Sequence, residues 1–178
     1  TDVKRRLRSG ALKRRLLTLR LGKGTVFLTI RDPDITTIGD MNFAAERVHL
    51  EAPFFECESL LRVDFRGCTK LTSVGFAAFC NCTSLTSVVL PDSLTQLGDA
   101  AFMKCSSLTS VVLPNSLTQV GGGAFIGCSS LTSVVLPDSL TQIGKEAFVD
   151  CTSLTSVVLP DSLTMLGEGA FNRCTSLT

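Results

Sequence analysis

Apolar and polar positions along residues 82–173 follow a pattern that recurs every 23 residues. Four consecutive units read CTSLTSVVLPDSLTQLGDAAFMK, CSSLTSVVLPNSLTQVGGGAFIG, CTSLTSVVLPDSLTQIGKEAFVD and CTSLTSVVLPDSLTMLGEGAFNR. A fixed short period is typical of a solenoid, because one unit cannot bury its apolar face alone and each neighbour supplies a matching surface. The pattern therefore predicts a stack of coils of about 23 residues each.

Within one unit, the order of residue types predicts the local elements. The segment 86–90 is short, apolar and β-branched, which favours a strand. Pro91 has no N–H to donate, so we expect the strand to end there. Gly98 is expected to permit a bend that a Cβ would obstruct. Ala101 and Phe102 are predicted to lie in a single helical or 3-10 turn, with the ring in the core.

Equivalent residues of successive units are expected to stack as rows. Strands of adjacent coils should pair in parallel about 4.8 Å apart. The aromatic row is Phe102, Phe125, Phe148 and Phe171, and an aliphatic row is Leu90, Leu113, Leu136 and Leu159.

The repeated motif L-x-x-V-x-L-P-x-x-L-x-x-[LIV]-G-x-x-A-F-x-x-C resembles the BspA-like, or treponemal-type, leucine-rich repeat. The resemblance covers residues 82–178 closely and 57–81 loosely. It implies a curved leucine-rich-repeat solenoid with a parallel β-sheet on the concave face. Members of that family are mostly cell-surface, adhesion or protein-interaction modules. They share no catalytic residues, so the resemblance assigns no functional residue in this chain.

Three segments are predicted along the chain. Residues 1–24 form a basic N-terminal arm and the start of a capping hairpin, which alternation around Gly22 to Gly24 extends over 17–30. Residues 25–81 hold degenerate N-terminal repeats, with a two-residue insertion at Gly67-Cys68, and 35–39 echo 140–144. Residues 82–178 hold the regular 23-residue repeats, the last of them incomplete. We expect this C-terminal edge to be covered by further repeats or by a partner.

Charge is distributed unevenly although the net charge is only +1. Residues 1–24 contain nine Lys or Arg and one acid, whereas the rest of the chain contains eight and fifteen. Three interpretations of the arm stay open: a solvated arm, a contact with RNA phosphate or an acidic protein face, and the remnant of a targeting peptide. The basic residues in question are Lys4, Arg5, Arg6, Arg8, Lys13, Arg14 and Arg15.

Six of the eight cysteines occupy one position of the repeat, namely Cys57, Cys82, Cys105, Cys128, Cys151 and Cys174. Identical positions stack, which predicts a row of small buried thiols rather than disulfides. Free thiols favour a reducing intracellular compartment or organelle over the cell surface. No metal site is predicted, because Cys80 and Cys82 form a CxC pair instead of the CxxC pair typical of structural zinc, and Cys82 already belongs to the row.

A candidate binding surface follows from the alternation in the strand. If Val88 and Leu90 point inward, Ser87 and Val89 point outward. The predicted protein-binding residues of the concave face are Ser87, Val89, Ser110, Val112, Ser133, Val135, Ser156 and Val158. This uncharged face suits a flat protein or peptide better than phosphate, and the alternative is that it is merely solvated. Variation between units lies just before each cysteine, at 103–104 and its equivalents, and indicates a lateral contact.

No catalytic motif stands out. The sequence has no P-loop, no dinucleotide fingerprint, no HExxH and no Ser or Cys near its single His49. The 11 Phe, without Trp or Tyr, belong mostly to the repeat rows, and no apolar run is long enough to span a membrane. We therefore predict a non-enzymatic protein-binding scaffold without a cofactor. The alternative is an accessory structural subunit of a larger assembly, such as a ribonucleoprotein, docked through nucleic-acid contacts of residues 1–24.

Overall fold

The computed structural model describes the backbone of 27–29 and 37–38, and the backbone and side chains of 54, 56–66 and 68–178. Short strands are its regular elements. They are β1 (Phe27–Thr29), β2 (Thr37–Ile38), β3 (Arg62–Asp64), β4 (Ser73–Val74), β5 (Ser87–Val89), β6 (Gln96–Leu97), β7 (Ser110–Val112), β8 (Gln119–Val120), β9 (Ser133–Val135), β10 (Gln142–Ile143) and β11 (Met165–Leu166).

The strands form two parallel sheets that run the length of a solenoid. The first has five strands in the order β1-β3-β5-β7-β9, and the second has six in the order β2-β4-β6-β8-β10-β11. Strand partners are equivalent residues of adjacent units, as in the series Ser87, Ser110 and Ser133. We number the coils 1 to 5, as residues 57–81, 82–104, 105–127, 128–150 and 151–173. The predicted parallel solenoid with a repeat of about 23 residues is confirmed.

The register also locates the irregularities of the N-terminal part. Strand β3 pairs with β5 at an offset of 25 residues, Arg62 with Ser87, whereas β4 pairs with β6 at an offset of 23, Ser73 with Gln96. The two extra residues therefore lie between β3 and β4, where the insertion was predicted. Ile38 pairs with Val74, which confirms the repeat echoed at 35–39. The basic arm, most of the predicted hairpin and His49 lie outside the described residues.

Stacked rings fill the core. Phe79, Phe102, Phe125 and Phe148 are fully buried. The centroids of adjacent rings lie 5.1 to 5.5 Å apart, with planes within 9° of parallel. Truncation of one interior ring to Ala removes contacts with both neighbours and costs about 3–5 kcal/mol of folding free energy.

Tight turns take the place of the predicted helical or 3-10 turn, and the described part of the chain contains no helix. The amide of Ala100 donates to the Gly122 carbonyl and the amide of Phe102 to the Ala124 carbonyl, each at 2.8 Å. These amides bond to the next coil, so they do not bond within their own turn. Cross-coil pairing thus continues through the turn and excludes a helix there.

A row of glycines brings the coil backbones close together. A Cβ built on Gly121 would lie 2.5 Å from the Gly98 carbonyl carbon, a backbone contact that real Cβ atoms do not make. The same conflict arises at Gly144 and Gly167. The requirement for glycine therefore comes from contact between coils rather than from the bend that we expected. Gly122 differs, because a Cβ there would come no closer than 3.4 Å to the Lys145 carbonyl oxygen.

Gly121→Ala should therefore lower the free energy of unfolding by about 3 kcal/mol, since backbone would have to move in two coils. Gly122→Ala is the matched control and should change it by less than about 0.5 kcal/mol. Urea denaturation followed by circular dichroism measures both variants. Equal stabilities for the two would show that the close approach between coils is not what selects glycine.

Candidate functional site

The outer side of the five-stranded sheet carries the candidate surface. Val111 and Val134 are 2% and 6% exposed, whereas the next residues, Val112 and Val135, are 72% and 67% exposed. The predicted inward and outward orientations are therefore correct. We call the outward residues the Ser/Val strip: Ser87, Val89, Ser110, Val112, Ser133, Val135, Ser156 and Val158.

A row of threonines lies beside the strip, and a row of serines belongs to it. The two rows differ in whether their hydroxyls are already hydrogen-bonded. The Thr132 hydroxyl donates to the Thr109 carbonyl at 3.1 Å, and the Thr155 hydroxyl donates to the Thr132 carbonyl at 3.3 Å. These hydroxyls already bridge adjacent coils. The exposed hydroxyls of Ser110 and Ser133 make no hydrogen bond within the described part of the chain. The serine row can therefore donate hydrogen bonds to a partner.

A cluster of charged residues, Arg62, Asp64 and Arg66, lies next to the N-terminal end of the strip. It was not predicted from the sequence. Asp64 pairs with Val89 in the register and is 8% exposed. Arg66 holds its carboxylate through Nε and Nη2, the latter at 2.7 Å from Oδ2. These hydrogen bonds from Arg66 lower the pKa of Asp64 to about 2. Arg62 lies exposed in the serine row beside them. The D-x-R spacing at 64–66 was the only signal of this cluster in the sequence.

The thiol row is structural in character. The thiols of Cys82, Cys105 and Cys128 are buried, and each donates a hydrogen bond to the carbonyl of a Phe 26 to 28 residues earlier in the chain, at 3.0 to 3.2 Å. Desolvation by burial raises the pKa of Cys82 and Cys151 to about 12. Such thiols are protonated near neutral pH and are therefore poor nucleophiles and poor metal ligands.

We searched the described residues for a metal site and for a membrane-spanning helix. They contain no group of three or more His, Cys, Asp or Glu side chains that could hold a metal ion. The region that the structure describes also lacks a helix long and apolar enough to cross a membrane. The prediction of a chain without catalysis or cofactor stays a prediction.

The last coil exposes residues that are buried elsewhere. Leu159 and Leu166 are 42% and 48% exposed, whereas their equivalents in coil 4, Leu136 and Ile143, are 8% and 0% exposed. Further repeats or a partner at this edge stay a prediction.

The BspA type leucine rich repeat region matches residues 49–178 in six copies. The chain belongs to the BspA-type leucine-rich repeat family. A comparison with curated protein sequences finds no significant match.

Solved structures of similar proteins support the same assignment. A leucine-rich repeat protein of Treponema pallidum is 30% identical, with a TM-score of 0.65 over 90% of this BspA-type chain and 81% of its own. A leucine-rich cell surface protein of Faecalibacterium prausnitzii is 28% identical, with a TM-score of 0.53 over 85% of this chain and 46% of its own. A leucine-rich repeat protein of Eubacterium ventriosum, at 23% identity and a TM-score of 0.67 over 86% and 43%, shows the shared fold. This chain spans less than half the length of the latter two proteins.

The thiol row predicts that this BspA-type solenoid loses stability at alkaline pH. Unfolded thiols ionise near pH 8.5, whereas Cys82 and Cys151 in the fold have a pKa of about 12. As pH rises between these values, the unfolded state releases protons first. The free energy of unfolding should therefore fall by about 1.4 kcal/mol per pH unit for each such thiol.

Cys151→Ser tests this assignment, because a hydroxyl keeps a donor for the Phe125 carbonyl but does not titrate in this range. Urea denaturation from about pH 8.5 to 11 should show a slope shallower than that of the parent by about 1.4 kcal/mol per pH unit. Equal slopes would contradict desolvation of this thiol as the cause.

Proposed function

We propose that this chain is a non-enzymatic scaffold that binds another protein through the Ser/Val strip on the concave side of its solenoid. One observation carries the proposal: valines that a soluble fold would ordinarily bury form a continuous exposed row. Val158 is 82% exposed, Val112 is 72% exposed and Val135 is 67% exposed. An exposed apolar row with polar residues beside it is typical of a protein contact.

The chemistry of the strip favours a polypeptide partner. The eight residues of the strip are serines and valines. They are uncharged, so they offer no cation to neutralise a phosphate or a sulfate. The hydroxyls of Ser110 and Ser133 can donate to main-chain carbonyls, while the valines cover apolar side chains. The leucine-rich-repeat fold is itself consistent with protein binding.

The alternative function, an assembly subunit docked by the basic arm, depends on residues 1–24. Those residues lie outside the part that the structure describes, and no observation on the described residues favours it.

The test is a comparison of variants in which the strip is charged without disturbing the core. Val112→Lys/Val135→Lys places two cations on the strip, and the matched control Gln119→Lys/Gln142→Lys places two on the outer side of the six-stranded sheet. Immobilised full-length parent and variants are exposed to an extract of the source organism, and captured proteins are quantified by mass spectrometry. We expect the strip variant to lose the captured partner by about tenfold or more, and the control to retain it.

Salt separates the two functions. An apolar contact on the strip should persist from about 0.1 M to 0.5 M salt, whereas binding of RNA phosphates by the arm should weaken steeply over that range. Equal capture by the strip variant and the parent would place the binding site elsewhere and overturn the proposal.

A further inference from the structure

The coils of this solenoid are nearly identical, and most of their differences gather on one lateral face. This face consists of the turns that connect the six-stranded sheet to the thiol row. We call the segments 99–104, 122–127 and 145–150 the turn face. Coil 2 presents Asp-Ala-Ala-Phe-Met-Lys there, coil 3 presents Gly-Gly-Ala-Phe-Ile-Gly, and coil 4 presents Lys-Glu-Ala-Phe-Val-Asp.

Apolar residues form the middle row of the turn face. Met103, Ile126 and Val149 are half-buried and lie outside the main core, and Met103 packs against a small satellite cluster with Cys80. In coil 3 the segment around Ile126 is rich in glycine, at Gly122, Gly123 and Gly127, and the two residues between Gly123 and Ile126, Ala124 and Phe125, are buried in the core. The centre of the turn face is therefore an apolar side chain beside glycine backbone, bordered by Lys104 near Gly127 and by the Asp99 carboxylate, which accepts a hydrogen bond from the Gly122 amide at 2.7 Å.

Charges on the two sides of this centre have opposite signs at equivalent positions. Lys104 of coil 2 is equivalent to Asp150 of coil 4, and both adopt a positive φ, 60° and 59°. Their side chains therefore leave the coils in the same direction. In another row of the same face, Asp99 of coil 2 is equivalent to Lys145 of coil 4.

These charged side chains differ in whether they form ion pairs within the chain. Lys104 is exposed and makes no ion pair with any residue that the structure describes. Asp150 meets Arg173 at 2.9 Å, and Lys145 lies 3.6 Å from Glu168 and 3.8 Å from Glu146. Those side chains are on the surface, so they can share a further partner.

We propose that the turn face binds the turn face of a second copy of this chain in an antiparallel, two-fold symmetric dimer. A two-fold axis in the interface and along coil 3 places coil 2 of one copy opposite coil 4 of the other. Lys104 then faces Asp150 of the second copy, and Asp99 faces its Lys145. Ile126 meets Ile126 across the axis, where the flanking glycines let the backbones approach.

We choose a second copy of the chain as the partner because the turn face is complementary to itself. A two-fold interface requires each surface to complement its own image. Opposite charges at equal distances from a neutral apolar centre meet that requirement in two separate rows of this face. The contact spans three main coils and is smaller than the roughly 800 Å² per partner of a standard stable interface. The dimer should therefore be weak, with a dissociation constant on the order of micromolar.

Sedimentation velocity of the full 178-residue chain from about 2 to 300 µM tests the proposal. We expect a reversible monomer–dimer equilibrium. Lys104→Asp and Asp150→Lys each place like charges opposite one another and should weaken association about tenfold. The double variant restores opposite charges, and its dissociation constant should return to within about threefold of the parent. Each substituting residue already occurs at this position of another coil, so the fold should accept it.

Ile126→Lys places two lysines on the axis and should abolish the dimer, while Val112→Lys on the Ser/Val strip should leave it unchanged. Circular dichroism confirms folding of each variant. A chain that stays monomeric at the highest concentration overturns the proposal. So does a dimer that survives Ile126→Lys, or a double variant no better than the single ones. None of these outcomes bears on partner binding by the Ser/Val strip, which is a separate surface.

Discussion

Hydrogen bonds between the backbones of adjacent coils are the constraint on which the rest of this structure depends. They join the strands of both sheets, in which Val88 and Val111 are partners, and they continue through the turns, as between Phe102 and Ala124. Parallel pairing of this kind requires coils of nearly equal length and backbones in close contact. That requirement explains the glycine row, because a Cβ at Gly121 would occupy the space of the neighbouring backbone.

The same constraint turns every position of the repeat into a row of side chains. Inside, it stacks Phe102 on Phe125 and aligns each thiol with the carbonyl of a preceding Phe. Outside, it produces surfaces of two kinds. The Ser/Val strip repeats the same two residues from coil to coil, whereas the turn face changes in every coil. A substitution at the exposed positions of the turn face, such as Asp99, Lys104 and Lys145, costs little, because these side chains lie outside the core.

The period of the sequence was sufficient to predict the solenoid, the coil length and the orientation of Val88 and Val89, since each depends on alternation and repetition alone. The turn conformation was not predictable in this way. Lys104 and Glu146 adopt a positive φ, which non-glycine residues rarely do, and their amides pair with the next coil. Glycine occupies the equivalent positions of coil 3, Gly123 and Gly127, also with a positive φ, and this signal was not used in the prediction. The Asp64–Arg66 cluster was missed because it breaks the repeat.

Repetition also limits what the strip alone can recognise. A partner displaced by one coil along the strip would meet the same serine and valine again, so contacts there favour no single position. Position must be set by a feature that occurs once. A feature of this kind adjoins the strip, namely the ionic cluster of Arg62, Asp64 and Arg66 at its N-terminal end. We therefore infer that the strip contributes affinity, while the ionic cluster, which departs from the repeat, determines where a partner binds.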